Sequence, residues 1–194
     1  FFRRQGMSSD RFFYEEPRMV THIDDATIEA LTGLYREIIP PDARVLDLMS
    51  SWTSHLPEER SFARVTGLGM NRAELDANEV LTERTVHDLN ADPTLPYEDA
   101  SFDIALCAVS IQYLVQPVEV FREVGRVLAP GGTFLVSFVL TEFIGSKATV
   151  WGIALTLLAV AAICLFDKFL RRDISGGILP AVFFLFVGGL GSAT

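Results

Sequence analysis

Residues 148–166, Ala-Thr-Val-Trp-Gly-Ile-Ala-Leu-Thr-Leu-Leu-Ala-Val-Ala-Ala-Ile-Cys-Leu-Phe, run for nineteen positions without one charge. At about 1.5 Å per residue, a helix of that length nearly crosses the roughly 30 Å of bilayer hydrocarbon. The rest of the chain must fold beside such a span or bury it. A length of 194 residues allows one domain, or one domain and a membrane segment.

Charge divides the chain at the same place. Up to residue 147 it carries 13 Lys+Arg against 23 Asp+Glu, a net of −10, whereas the tail has a net of +1. An acidic globular part argues against a nucleic-acid partner, because phosphates need a basic face. Cys107 and Cys164 both lie in apolar runs; they read as buried thiols, not as a disulfide or a metal site. His22, His55 and His87 show no ligand spacing with cysteines or carboxylates, so no metal is expected. The opening residues Phe-Phe-Arg-Arg are compatible with a removed transit or signal peptide.

Residues 1–23 have no period and read as an arm. Asp24 and Asp25 can cap a helix whose apolar positions are Ile28, Leu31, Leu34, Tyr35 and Ile38. Pro40-Pro41 stops it. Short apolar runs predict strands at 44–48, 64–68, 85–88, 102–109 and 133–138. Helices are expected at 74–81 and 118–128, the second with Val120, Phe121, Val124 and Val127 on one face. Pro130-Gly131-Gly132 reads as a turn. Strands alternating with helices imply a parallel sheet covered on both faces.

Two segments carry a family resemblance: Leu95-Pro-Tyr-Glu-Asp-Ala-Ser-Phe-Asp103 before the fourth strand, and Val127-Leu-Ala-Pro-Gly-Gly-Thr-Phe-Leu135 leading into the fifth. With this order of elements, residues 10–140 resemble the class I S-adenosylmethionine-dependent methyltransferases, in particular the type 11 methyltransferase-domain group. The resemblance implies a Rossmann-like α/β domain over 24–140. It implies S-adenosylmethionine held at the carboxyl ends of the strands, where such sheets bind nucleotides.

The resemblance also locates the cofactor residues. The family has an acidic residue and three alternating glycines after the first strand. Here Asp47 matches the acidic position, while the glycine positions fall on Met49, Ser51 and Thr53, with Trp52 among them. Each added Cβ restricts positive φ and fills space. Ser50, Ser51 and nearby backbone amides remain candidates for the cofactor's amino-acid part. Gly69 stands where the family places a carboxylate for the ribose. Asp88 matches the acidic residue beside the adenine. Asp47 and Asp88 read equally well as caps for loop amides. Gln112 and Tyr113 fall where acceptor contacts often lie, or Tyr113 packs against the following helix. No catalytic base is apparent. The family's sixth and seventh strands have no counterpart after residue 138, so a five-stranded sheet with an open fifth edge is expected.

For the tail, a transmembrane hairpin of helices at 148–166 and about 178–192 is the leading expectation. One span with an interfacial segment is a second. A buried helix followed by an apolar strand at 181–187 is the third. Lys168, Arg171 and Arg172 make the connecting loop basic, and in a hairpin the positive-inside rule would put the globular domain on the opposite side; such a domain normally folds on the cytoplasmic or stromal side, where it is expected. Two functions follow. One is a membrane-anchored methyltransferase acting on a lipid, quinone or pigment-like acceptor. The other is a non-catalytic methyltransferase-like subunit of a larger membrane complex, for example a photosynthetic supercomplex in the chloroplast thylakoid. The missing glycines, ribose carboxylate and edge strands together favour the second.

Overall fold

The computed structural model describes residues 14–139 and the backbone of a strand at 181–187. Six parallel strands form one sheet in the order β3-β2-β1-β4-β5-β6, the order of a doubly wound dinucleotide fold. They are β1 (Arg44–Leu48), β2 (Arg64–Gly69), β3 (Glu83–Val86), β4 (Phe102–Ala108), β5 (Leu128–Val139) and β6 (Ala181–Val187). The helices are α1 (Asp25–Ile38), α2 (Arg72–Ala77) and α3 (Pro117–Val127), with a 3-10 turn at Ile111–Tyr113.

Local chemistry explains the boundaries. The Asp24 carboxylate accepts the Thr27 N–H at 2.8 Å and opens α1. The helix buries Thr27, Leu31 and Tyr35 and closes before the two prolines. Pro117 occupies the first turn of α3, where its missing N–H costs nothing. That helix buries Val120, Val124 and Val127.

Alternation along the strands divides the core between two faces. Leu46 and Leu48 of β1, Ala105 and Cys107 of β4, and Phe134 and Val136 of β5 pack with α3 on one face. Val45, Ile104, Leu106 and Leu135 pack with Leu31 and Tyr35 of α1 and Leu75 of α2 on the other. The segments that carried the family resemblance have structural work here. Arg44 holds Asp103 through its backbone N–H at 2.8 Å and its guanidinium at 2.7 Å, joining the starts of β1 and β4. This pairing keeps the Asp103 carboxyl below its usual range. Arg126 of α3 donates to the carbonyls of Leu95 and Tyr97 and to Asp99. It thereby fixes the loop before β4.

Two expectations are corrected. The predicted turn at Pro130-Gly131-Gly132 lies inside β5, as a bulge between the Phe102–Leu128 and Ile104–Thr133 pairs. The tail differs more. Where the second transmembrane helix was expected, at about 178–192, residues Ala181–Val187 form β6. It pairs parallel to β5 from Thr133–Ala181 to Val139–Val187. The sheet therefore has six strands, not five, and β5 is not an edge. The physical reason is that Ala-Val-Phe-Phe-Leu-Phe-Val is a short β-branched and aromatic run. An open β5 would also leave a row of backbone groups unpaired. The first expected span, 148–166, lies outside the described residues, as do the 1–13 part of the arm and Cys164. Among the described residues, no helix is long and apolar enough to cross a membrane.

Gly131 has a φ of +83°, and a Cβ added there meets no atom within 4 Å. Gly131→Ala therefore tests backbone strain alone. The expected loss is about 1–2 kcal/mol in urea unfolding of the full chain.

Candidate functional site at the ends of β1, β2 and β3

The carboxyl end of β1 is built around a buried carboxylate. Asp47 is 4% exposed. Its Oδ2 accepts the hydroxyls of Ser50 and Ser54, both at 2.6 Å. Asn78, just beyond α2, donates to the Ser54 hydroxyl and to the Ser51 carbonyl, each at 2.9 Å. Burial pushes the Asp47 carboxyl up to about 6, against the lowering effect of the two hydroxyl bonds.

This network shapes the bend that follows. Met49 has a φ of +57°, the left-handed conformation that glycine adopts freely. The restriction anticipated from its Cβ does not prevent that conformation. Its side chain is partly buried against the core face that contains Leu46 and Leu48. The Ser50 N–H then donates to the Leu68 carbonyl at 2.8 Å. This brings the bend directly over the end of β2. A Cβ at Gly69 would collide with the Ser50 carbonyl oxygen. Gly69 is thus required by the close approach of the bend, and no carboxylate could stand at that position.

Asp88 lies one strand further on. The His87 N–H donates to the Gly69 carbonyl at 2.9 Å, so the two strand ends are adjacent. Asp88 Oδ1 accepts the N–H groups of Asn90 and Ala91 at 2.9 and 3.2 Å. The turn-capping role of Asp88 is therefore real, and it occupies one carboxylate oxygen. Asn90 in turn donates to the Tyr113 carbonyl at 3.0 Å, which joins this turn to the one after β4. Tyr113 is 46% exposed. Gln112 donates to the Val109 carbonyl at 2.8 Å. Cys107 is buried, and burial pushes its thiol up to about 12, a poor nucleophile.

The structure thus brings Asp47, Ser50, Ser51 and Gly69 into one cluster, with Asp88 beside it. Sequence reasoning missed four members: Ser54, Asn71, Glu74 and Asn78. Glu74 is 7% exposed. It accepts the Ser51 hydroxyl at 2.6 Å on one oxygen and the Arg18 backbone N–H at 2.8 Å on the other. Asn71 caps α2 by accepting the Glu74 N–H at 3.1 Å. Its amide also donates to the Tyr14 carbonyl at 2.8 Å. The only advance sign was a carboxylate three residues after an Asn that can cap a helix.

Comparison with known proteins addresses the same region. Residues 50–136 match the methyltransferase domain family. This part of the chain is methyltransferase-like. It is 30% identical over 129 residues to a malonyl-[acyl-carrier protein] O-methyltransferase of Hahella chejuensis, an alignment covering 63% of this chain and 45% of that protein. It is 36% identical over 81 residues to a sterol 4-C-methyltransferase of Caenorhabditis elegans, covering 38% of this chain and 24% of that one. The chain therefore spans less than half the length of either relative. Among solved structures, an S-adenosylmethionine-dependent methyltransferase from Mesorhizobium loti is 22% identical with a TM-score of 0.43, covering 53% of this chain and 49% of that one.

Two variants test the bend after β1 and its support. The raised Asp47 carboxyl keeps its proton to higher pH in the folded chain than in the unfolded one. Its contribution to stability is full below about pH 4 and falls by about 2–3 kcal/mol as pH rises through about 6. Asp47→Asn should remove that fall. The wild-type minus Asn difference in unfolding free energy, measured from pH 4 to 7.5, should become steadily less favourable to the wild type. Gly69→Ala should cost about 1–3 kcal/mol through overpacking against the bend, readable as a lower urea midpoint.

Proposed function

We propose that this domain binds S-adenosylmethionine along the carboxyl ends of β1, β2 and β3 and acts as a methyltransferase. The observation that carries the reading is the bend after β1. It keeps a left-handed residue at position 49 and a buried carboxylate at position 47, although the sequence lacks the family's glycines. A second support is Asp88 at the adjacent strand end, with one oxygen outside its turn bonds.

The fit is partial. The acidic residue the family uses for the ribose has no equivalent at Gly69. Asp47 and Ser51 direct their side chains to Ser50, Ser54 and Glu74. On this reading the bend's backbone and Asp88 hold the ligand, and the side chains hold the bend. S-adenosylmethionine supplies an electrophilic methyl group. The chain's part is to position donor and acceptor in line, which can supply much of the rate enhancement without a base. The two curated relatives act, by their names, on a carrier-bound malonyl group and on a sterol. The acceptor proposed here is a lipid-like or pigment-like molecule.

The missing ribose carboxylate and the internally committed Asp47 and Ser51 favour a second reading. In it the domain is a non-catalytic subunit of a larger membrane complex. Calorimetric titration of S-adenosylmethionine into the detergent-solubilised full chain distinguishes the two. Binding with a micromolar dissociation constant is expected; no heat at millimolar ligand would leave only the second reading.

A further inference from the structure

Residues 14–20 run across the candidate site and are tied to it by backbone bonds. The Tyr14 and Glu15 carbonyls accept the Asn71 amide at 2.8 and 3.3 Å, just past the end of β2. The Arg18 N–H donates to Glu74 in α2. The Val20 carbonyl accepts the Trp52 indole N–H at 3.1 Å, on the bend after β1. The segment therefore bridges the ends of β1 and β2, between which a nucleotide would lie. Residues 15–20 are themselves exposed, and among the described residues none of them belongs to either core cluster. Met19 and Val20 are 46% and 53% exposed. Polar clasps, not burial, keep the segment in place.

Glu74 is the central clasp. One of its oxygens takes the strap through Arg18; the other takes the bend through Ser51. Moving either partner disturbs the other, because both bonds depend on one buried carboxylate. Segments tied down by polar contacts at the surface and by little apolar burial open at lower free-energy cost than core elements.

We propose that residues 14–20 are a strap that opens to admit the ligand and closes over it, with Glu74 as the positioning residue that couples strap to bend. This rests on the nucleotide-binding reading above. The strap would set the rate of ligand exchange more than the equilibrium affinity, as lids do.

The test uses trypsin cleavage after Arg18, followed by mass spectrometry on the full chain, together with the dissociation rate of S-adenosylmethionine. Arg122, with a side chain 71% exposed on α3, serves as the internal control bond. Glu74→Ala should speed cleavage at Arg18 roughly five- to tenfold, as expected for losing a charge-assisted clasp, with cleavage at Arg122 unchanged. Trp52→Phe keeps an aromatic ring but loses the indole N–H and the five-membered half of the indole; it should speed cleavage two- to fivefold and removes no fully buried group. Both variants should release ligand faster by similar factors, while saturating ligand should protect Arg18 in the wild type. Ligand binding with wild-type release rates in both variants would overturn the strap alone. No binding by the wild type would overturn the methyltransferase reading, and the gating role with it. Faster cleavage at Arg18 and Arg122 together would mark general unfolding and count against the strap.

Discussion

A carboxylate out of reach of water must either find donors or give up its charge. Asp47 does part of each. It collects two hydroxyls, and its burial still raises its affinity for a proton. The arrangement at the strand ends follows from satisfying it. Ser50 and Ser54 must both turn back toward β1, which forces a tight path between them. That path places the Ser50 carbonyl against Gly69 and leaves Ser51 facing α2. Asn78 and Glu74 then fix the outer side of the same path. A region that lacks glycines can hold a glycine-like shape because side-chain hydrogen bonds over-determine it.

The sheet itself was largely legible. Apolar runs separated by polar breaks placed β1 and β2 to within a residue. Asp24 and the two prolines marked the limits of α1. These signals are local: capping, periodicity and proline geometry act within a few residues. β6 was harder, because seven apolar residues fit a short helix or a strand, and only the neighbouring edge of β5 decides between them. The bulge in β5 was misplaced for a similar reason. Gly131 marks a turn locally, but pairing with β4 on both sides makes it part of one strand.

The site was legible in outline and obscure in detail. Asp47, Ser50, Ser51 and Gly69 could be found because a family pattern numbers them along the chain. Glu74 and Asn71 could not, because their site contacts are to residues 23 to 57 positions earlier. Gly69 shows the difference well. From sequence it looks like the loss of a carboxylate; in three dimensions it is the only residue that fits beneath the bend. A substitution that looks like decay can equally be the partner of a change elsewhere.

The order in which the sheet is completed has a consequence for biogenesis. About forty residues separate the end of β5 from the start of β6. At translation speeds of 5–20 residues per second, roughly two to eight seconds pass between the synthesis of those strands. During that interval the emerging polypeptide carries an unpaired β5 beside a newly made apolar stretch. Ribosome-associated chaperones that shield such edges would therefore have a definite moment to act, and slowing translation over residues 140–180 would prolong the period of greatest aggregation risk.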